Sequence, residues 1–541
     1  MIFARLAAAA ALLSLSTAAV SQTAAAPAFT ADAFRAHVAF LADDLLEGRD
    51  AGTRGYDIAA RYVATRFEAL GLKPAVNGSW YQQVPFVEYQ LADSPAGVTI
   101  GGRRFANRAE VMVWPDPADT RPSIEAPVVF VGYGLDLPSQ GIDDYAGLDV
   151  RGKIVAILSG TPKGLPSDVA AHAGSQKGRT AASRGAIGTI SLRSRATAKN
   201  YGWDKVVAPQ EPSVTWVGPD GRPFTAAQGI GFAATFDTPA AQALFAGAPR
   251  TLDQILDEAE KGGRPTGFAL RSPVKMERAS TSRRFSSPNV IAMLPGSDPA
   301  LANEYVLLMA HLDHTGISPE GGDRINNGAM DNATGIATML EAARAFTQSG
   351  TRPRRPILFA AVTAEEDGLL GSQYLAKNPV VTASGGKVVA VVNLDMPVLL
   401  YDFNDVIAFG AEHSTLGQVV ERAGATMGVK LAEDPLPQEG LFTRSDHYRF
   451  VQEGVPSVFL MTGFGNGGDK KFTGFLETHY HKPSDQIDLP FDWAAGAKFA
   501  RLNYQIAREI ADAPAAPLWY QGSFFGDTFA TSQPRAPAAG K

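Results

Sequence analysis

Two early segments of the chain carry a helical period. Between Phe29 and Leu46, the apolar residues Phe34, Val38, Leu41 and Leu45 recur at three- and four-residue spacing, with Thr30 placed to cap and Asp32 in the first turn. A Gly-rich turn, Glu47-Gly48-Arg49-Asp50-Ala51-Gly52-Thr53, separates this helix from a second. There Ile58, Tyr62, Val63, Phe67 and Leu70 share a face, and Gly71 ends it. From about Trp80 to Trp114 the pattern becomes strand and turn. Between Ile124 and Val274, short apolar runs stand between Gly and Pro punctuation, at Val128–Val131, Ile154–Leu158 and Ala186–Leu192, and few stretches show helical periodicity. This predicts an inserted, mainly β domain.

From Ser286 a third rhythm begins, with apolar strands alternating with amphipathic helices. Strands are predicted at Asn289–Met293, Tyr305–Ala310, Pro356–Val362, Val388–Leu394 and Ser457–Met461. Helices are predicted at Thr334–Phe346, Leu369–Leu375, Leu416–Gly424 and Trp493–Ile510. Runs apolar on both faces imply a sheet covered on both sides. The fold class predicted is α/β, with a mostly parallel central sheet flanked by helices and a mainly β insertion. The division expected is a signal peptide over 1–26, N-terminal helices and strands over 27–115, the insertion over 116–280, the α/β domain over 281–515 and a mobile C-terminal tail over 516–541.

Composition narrows the function. The 541 residues are 45% hydrophobic and 19% charged, with a net charge of −6, which offers no bulk attraction for nucleic acid or anionic lipid. Cysteine is absent, so disulfides, thiolate ligands and a cysteine nucleophile are excluded. Arg5, the short apolar run Leu6–Leu15 and the small residues through Ala26 read as a cleaved export signal, with no later run long enough to span a membrane. The expected location is exported, either periplasmic or secreted.

Candidate chemistry sits where the apolar strands end. His311 and Asp313 follow one strand, Glu365 and Glu366 a second, and Asp395 a third, while Asp331-Asn332 precedes a helix. In α/β sheets the carboxyl edge is where ligands bind. Taken singly, each group has a structural reading: a strand-end histidine, a solvated acid pair, a helix cap. Together they place several charges at one mostly apolar edge, which is costly without a neutralising cation. Imidazole with carboxylate and no thiolate suits zinc, manganese or cobalt, and zinc is the commonest for hydrolysis.

The runs His311-Leu312-Asp313, Gly328-Ala329-Met330-Asp331-Asn332-Ala333-Thr334-Gly335, Ala364-Glu365-Glu366, Asn393-Leu394-Asp395-Met396 and Tyr480-His481-Lys482-Pro483-Ser484-Asp485 resemble the co-catalytic two-zinc exopeptidases. That family includes the bacterial leucyl aminopeptidases, aminopeptidase Y and glutamate carboxypeptidase. The insertion resembles their protease-associated domain. The resemblance implies two Zn2+ per chain, with His311 and Asp395 on one, Glu366 and His481 on the other, and Asp331 bridging. It implies Glu365 as general base, Asp313 orienting His311, Tyr480 stabilising the oxyanion, and peptide substrates. Met330 stands where relatives often have an acid. His314 is expected to support the ligands rather than join them, Arg444-Ser445-Asp446-His447 to lie near the substrate, and Phe464–Phe475 to form a mobile loop over the cleft. An aminopeptidase is the reading favoured. A carboxypeptidase using Arg444, a receptor-like binding protein and a one-zinc glutaminyl cyclase are its rivals.

Overall fold

Ten strands build the central sheet: β1 Lys73–Pro74, β2 Tyr81–Leu91, β3 Ser213–Trp216, β4 Ser280–Leu294, β5 Glu304–His311, β6 Ile357–Val362, β7 Lys387–Leu394, β8 Asp405–Phe409, β9 Lys430–Ala432 and β10 Ser457–Thr462. The computed structural model describes residues 28–118, 123–208 and 211–538, so the expected signal peptide lies outside the described residues. The strand order is β3-β2-β4-β6-β5-β7-β10-β8-β9, with β1 beside β4. The sheet is mixed. Strands β6, β5, β7 and β10 are parallel and central. The β3-β2-β4 arm is antiparallel and joins β6 antiparallel, because β2 and β4 carry the chain into and out of the insertion.

The apolar runs end up buried on both faces, as their composition requires. Val306, Leu308 and Ala310 of β5 join one core with the first helices and the Thr334–Gln348 and Trp493–Asp512 helices. Leu307 and Met309 join the opposite core with Leu358, Ala360 and Val391. Each buried leucine contributes about 1.5–3 kcal/mol of burial free energy. The period-2 geometry of a strand thus fixes which residues serve which core, and where β5 must stop, at His311.

Several expectations are corrected. The first helix stops at Leu41 and a short helical turn follows over Asp44–Arg49. Leu45, expected to face inward, is 80% exposed, because the helix ends at Leu41 and the extended Asp43 redirects the chain before Leu45. The insertion is α/β rather than mainly β. Its six-stranded sheet has a parallel centre, Val128–Phe130, Ile154–Leu158, Gly188–Leu192 and Phe232–Phe236, packed by helices that include Ser167–Ser183 and Leu252–Glu260. A second, antiparallel sheet draws in Gly97–Ile100 and Arg103–Ala106, so the insertion's core begins before residue 116. The segment Phe464–Phe475 is largely the helix Gly468–Thr478, fastened by buried Phe472 and Phe475. The tail after Ala515 packs as well. Trp519 is buried and donates from Nε1 to the Gly454 carbonyl at 2.9 Å, and Phe525 is buried on the Phe524–Phe529 helix.

Candidate active site

The carboxyl ends of β5, β6 and β7 deliver His311, Glu365-Glu366 and Asp395 to one cavity of about 240 Å³. Asp331 enters from the turn before the Thr334–Gln348 helix, and Tyr480 and His481 from the loop after the Gly468–Thr478 helix. Asp331 is central. Its Oδ1 lies 3.2 Å from His311 Nε2, and its Oδ2 lies 3.3 Å from His481 Nε2. Each imidazole meets a second acid, His311 Nε2 with Asp395 Oδ1 at 3.2 Å and His481 Nε2 with Glu366 Oε2 at 3.1 Å. The arrangement has two lobes that share one carboxylate.

His314 is buried and places Nδ1 2.7 Å from Glu366 Oε1, but 4.0 Å from Asp331 Oδ2. It grips the Glu366 oxygen that His481 leaves free, whereas His481 approaches both acids of its lobe. Asp313 behaves differently from expectation. Nδ1 of His311 meets the backbone carbonyl of Asp313 at 3.1 Å, so that imidazole is oriented by main chain. The Asp313 carboxylate instead accepts from the Glu366 N–H at 3.1 Å. Glu365 and Tyr480 line the cavity, and the Tyr480 ring centroid lies 3.9 Å from that of His481. Arg444 is at the rim, 3.8 Å from Glu439.

The electrostatics are those of crowded acids and imidazoles. Burial would lower the His311 pKa, yet Glu365, Asp395 and Asp331 outweigh it and raise it well above the usual value. His481 is driven up to about 10 against its burial by Asp331 and Glu366. Burial, reinforced by Glu366, Asp446 and Asp395, pushes the Glu365 carboxyl well up. The donor set fits divalent cations. The His311, Asp331 and Asp395 ligand atoms lie within 4.8 Å of one another, as do those of His314, Asp331 and Glu366. Asp313 Oδ1 and His314 Nε2 are also buried without a hydrogen-bond partner. Imidazole and carboxylate at this density suit zinc.

Supporting residues were missed in the sequence. Asp485 accepts from the Met330 and Asp331 N–H groups at 2.8 and 3.0 Å and thereby sets the central carboxylate. Asn332 donates to the Leu394 carbonyl at 2.9 Å and accepts from the Met396 N–H at 3.2 Å, tying the Asp331 turn to the end of β7. Ser445 donates to Asp395 Oδ2 at 2.5 Å. Arg49, read only as part of a turn, is fully buried and donates to the carbonyls of Leu312, Asn327 and Gly328 at 3.0, 2.5 and 3.1 Å, and to that of Leu41. Asp485 closes a quoted motif, which was a usable signal. Arg49 had only the left-handed turn around it.

Fold and donor set together define an α/β domain with a metal-type centre at the carboxyl edge of its sheet. Residues 289–507 match the family model described as peptidase family M28. Over 277 residues it is 28% identical to leupeptin-inactivating enzyme 1 of Streptomyces exfoliatus, which covers 48% of this chain and 56% of that one. It is 27% identical over 255 residues to leucine aminopeptidase 1 of Penicillium rubens, covering 44% of this chain and 61% of that one. The chain therefore spans little more than half the length of these relatives. Among solved structures it is similar to an aminopeptidase from Aneurinibacillus sp. strain AM-1, with 20% identity, a TM-score of 0.49, and coverage of 90% of this chain and 95% of that one.

Proposed function

We propose that this chain is an exported exopeptidase that binds two zinc ions and removes N-terminal residues from peptides. The observation that carries the reading is the Asp331 carboxylate held between two imidazoles, each paired with its own second acid. In this reading His311 and Asp395 would hold one ion, Glu366 and His481 the other, and Asp331 would serve both. Zinc bound there would supply Lewis acidity, for the scissile carbonyl and for the attacking water near neutral pH.

The chain's own groups do the rest. Glu365, ionised but held in a site whose burial favours its neutral form, takes the proton from the attacking water and returns it to the departing amine. Tyr480 donates a hydrogen bond to the oxygen that gains charge. Met396, Leu441, Phe459, Met461 and Phe472 line the same cavity and make it a receptacle for an apolar side chain. The leucine aminopeptidase among the relatives supports the N-terminal choice. Export rests on the leader-like N-terminus.

The test is hydrolysis of a leucyl peptide with a free N-terminus beside its N-acetylated twin, with and without a zinc chelator. Chelator-sensitive cleavage of the free peptide alone is expected. Equal cleavage of both moves recognition to the C-terminus and to Arg444. Cleavage of neither by protein holding two zincs refutes the substrate class.

A further inference from the structure

One wall of the cavity is the segment 436–445, two short helical turns that supply Leu436, Glu439, Leu441, Arg444 and Ser445. One side of this segment faces the site, and Ser445 is bonded directly to Asp395. Its other side is covered by the insertion. The Ser167–Ser183 helix, whose Val169 and Ala173 belong to the insertion's own core, presses on Gly440 so closely that a Cβ there would lie 2.8 Å from Ala171 Cβ. Next along that helix, His172 is buried and hydrogen-bonded through Nδ1 to the Tyr448 hydroxyl. Its ring packs among Phe524, Phe525 and Phe529 at centroid distances of 5.6, 6.0 and 5.5 Å. Asp168 adds a contact from Oδ2 to His413 Nε2 at 3.3 Å, and Phe442 of the wall packs on both His413 and Phe525 at 4.9 Å.

Three distant parts of the chain, the insertion helix, the wall and the C-terminal helix, thus meet at one buried joint. We propose that this joint determines specificity: the insertion, seated through His172, holds the 436–445 wall at the width that selects the substrate side chain, without itself touching substrate. His172 and Tyr448 are positioning residues in this arrangement. The wall is two short turns without strand pairing of their own, anchored on the site side at Ser445 and on the other side by buried Phe442 at the joint. Interior packing transmits displacement because it leaves little free volume.

The inference rests on the exopeptidase reading, and its test separates the two. Tyr448→Phe deletes only the hydroxyl, His172→Ala removes the whole seat, and His172→Gln keeps a hydrogen-bonding side chain. Steady-state kinetics on leucyl and alanyl 4-nitroanilides should show the leucyl-to-alanyl ratio of kcat/KM shifting about fivefold or more in His172→Ala. The shift is carried by KM, with zinc content unchanged and partial recovery in His172→Gln. Hydrogen exchange should show faster labelling over 436–445 in Tyr448→Phe, with β5 unaffected. A ratio within twofold of the parent and unchanged exchange in both variants overturns the proposal. Should the parent cleave neither substrate, the exopeptidase reading falls, and exchange over 436–445 still decides whether the insertion holds the wall.

Discussion

Arg49 should contribute heavily to the stability of this protein, and its contacts set the amount. Its guanidinium is buried, and burial lowers its pKa from 12.5 to about 10. That drop corresponds to a cost of about 3 kcal/mol for keeping the charge in the folded chain. Against it stand four charge-assisted bonds to the Leu41, Leu312, Asn327 and Gly328 carbonyls. At about 1.5–3 kcal/mol each they contribute about 6–12 kcal/mol. The balance favours arginine by at least about 3 kcal/mol, so Arg49→Leu should destabilise by that amount or more. Arg49→Lys, a point charge with fewer donors in reach, should lose about half as much. Leu312 lies between His311 and Asp313, and Gly328 opens the Asp331 turn, so metal retention should fall with stability. Supporting contacts of this kind typically change metal affinity about 10–100-fold. Urea unfolding of the zinc-loaded protein and zinc competition with a chelator measure the two effects. An Arg49→Leu variant within about 1 kcal/mol of the parent, with equal zinc retention, would refute the reasoning.

Other expectations follow from the same geometry. Glu365→Gln should keep its zinc by elemental analysis and lose at least about a hundredfold in kcat, and full turnover would remove Glu365 as the base. Asp331→Ala should lose metal from both lobes, since its two oxygens face two different imidazoles; unchanged zinc content would show that it bridges nothing. His172 gives a pH effect on stability. Burial lowers its pKa from 6.5 to about 4, so the unfolded chain takes up the proton first as pH falls. Its contribution is intact above about 6.5 and is lost between there and pH 4, with about 2 kcal/mol gone by pH 5. Comparing the parent with His172→Phe across that range isolates the term, and parallel curves would show that His172 does not carry it.

The strand-end acids and imidazole were legible because the forces that form a buried parallel strand also announce its end, whereas Asp331 and His481 stood out only through the motif resemblance. Tyr305 to Ala310, Ile357 to Val362 and Val388 to Leu394 are apolar on both faces, so the first His, Glu or Asp after each must sit at the sheet's edge. What was not legible follows from physics that leaves little mark on sequence. Arg49 bonds Leu312 across 263 residues and Asp485 bonds Met330 across 155, with donors and acceptors that no periodicity encodes. The Ser167–Ser183 helix buries only Val169, His172, Ala173 and Ala181, so it shows almost no amphipathic period, and a domain with such helices reads as β. The C-terminal segment looks mobile by its Pro and Ala content, yet Trp519 and Phe525 are enough to fasten it.

These same silent elements converge on the joint behind the cavity wall. The helix without a period supplies His172, the tail with a disordered composition supplies Phe524, Phe525 and Phe529, and the wall itself is two turns too short to have a pattern. Chemistry here is therefore written locally, at strand ends, while the shape of the receptacle is set by packing among segments far apart in the chain. The two should separate under substitution. Changes at Glu365 or Asp331 should act on turnover and metal for every substrate alike. Changes at His172 or Tyr448 should act on which substrate is taken, with turnover and metal left in place.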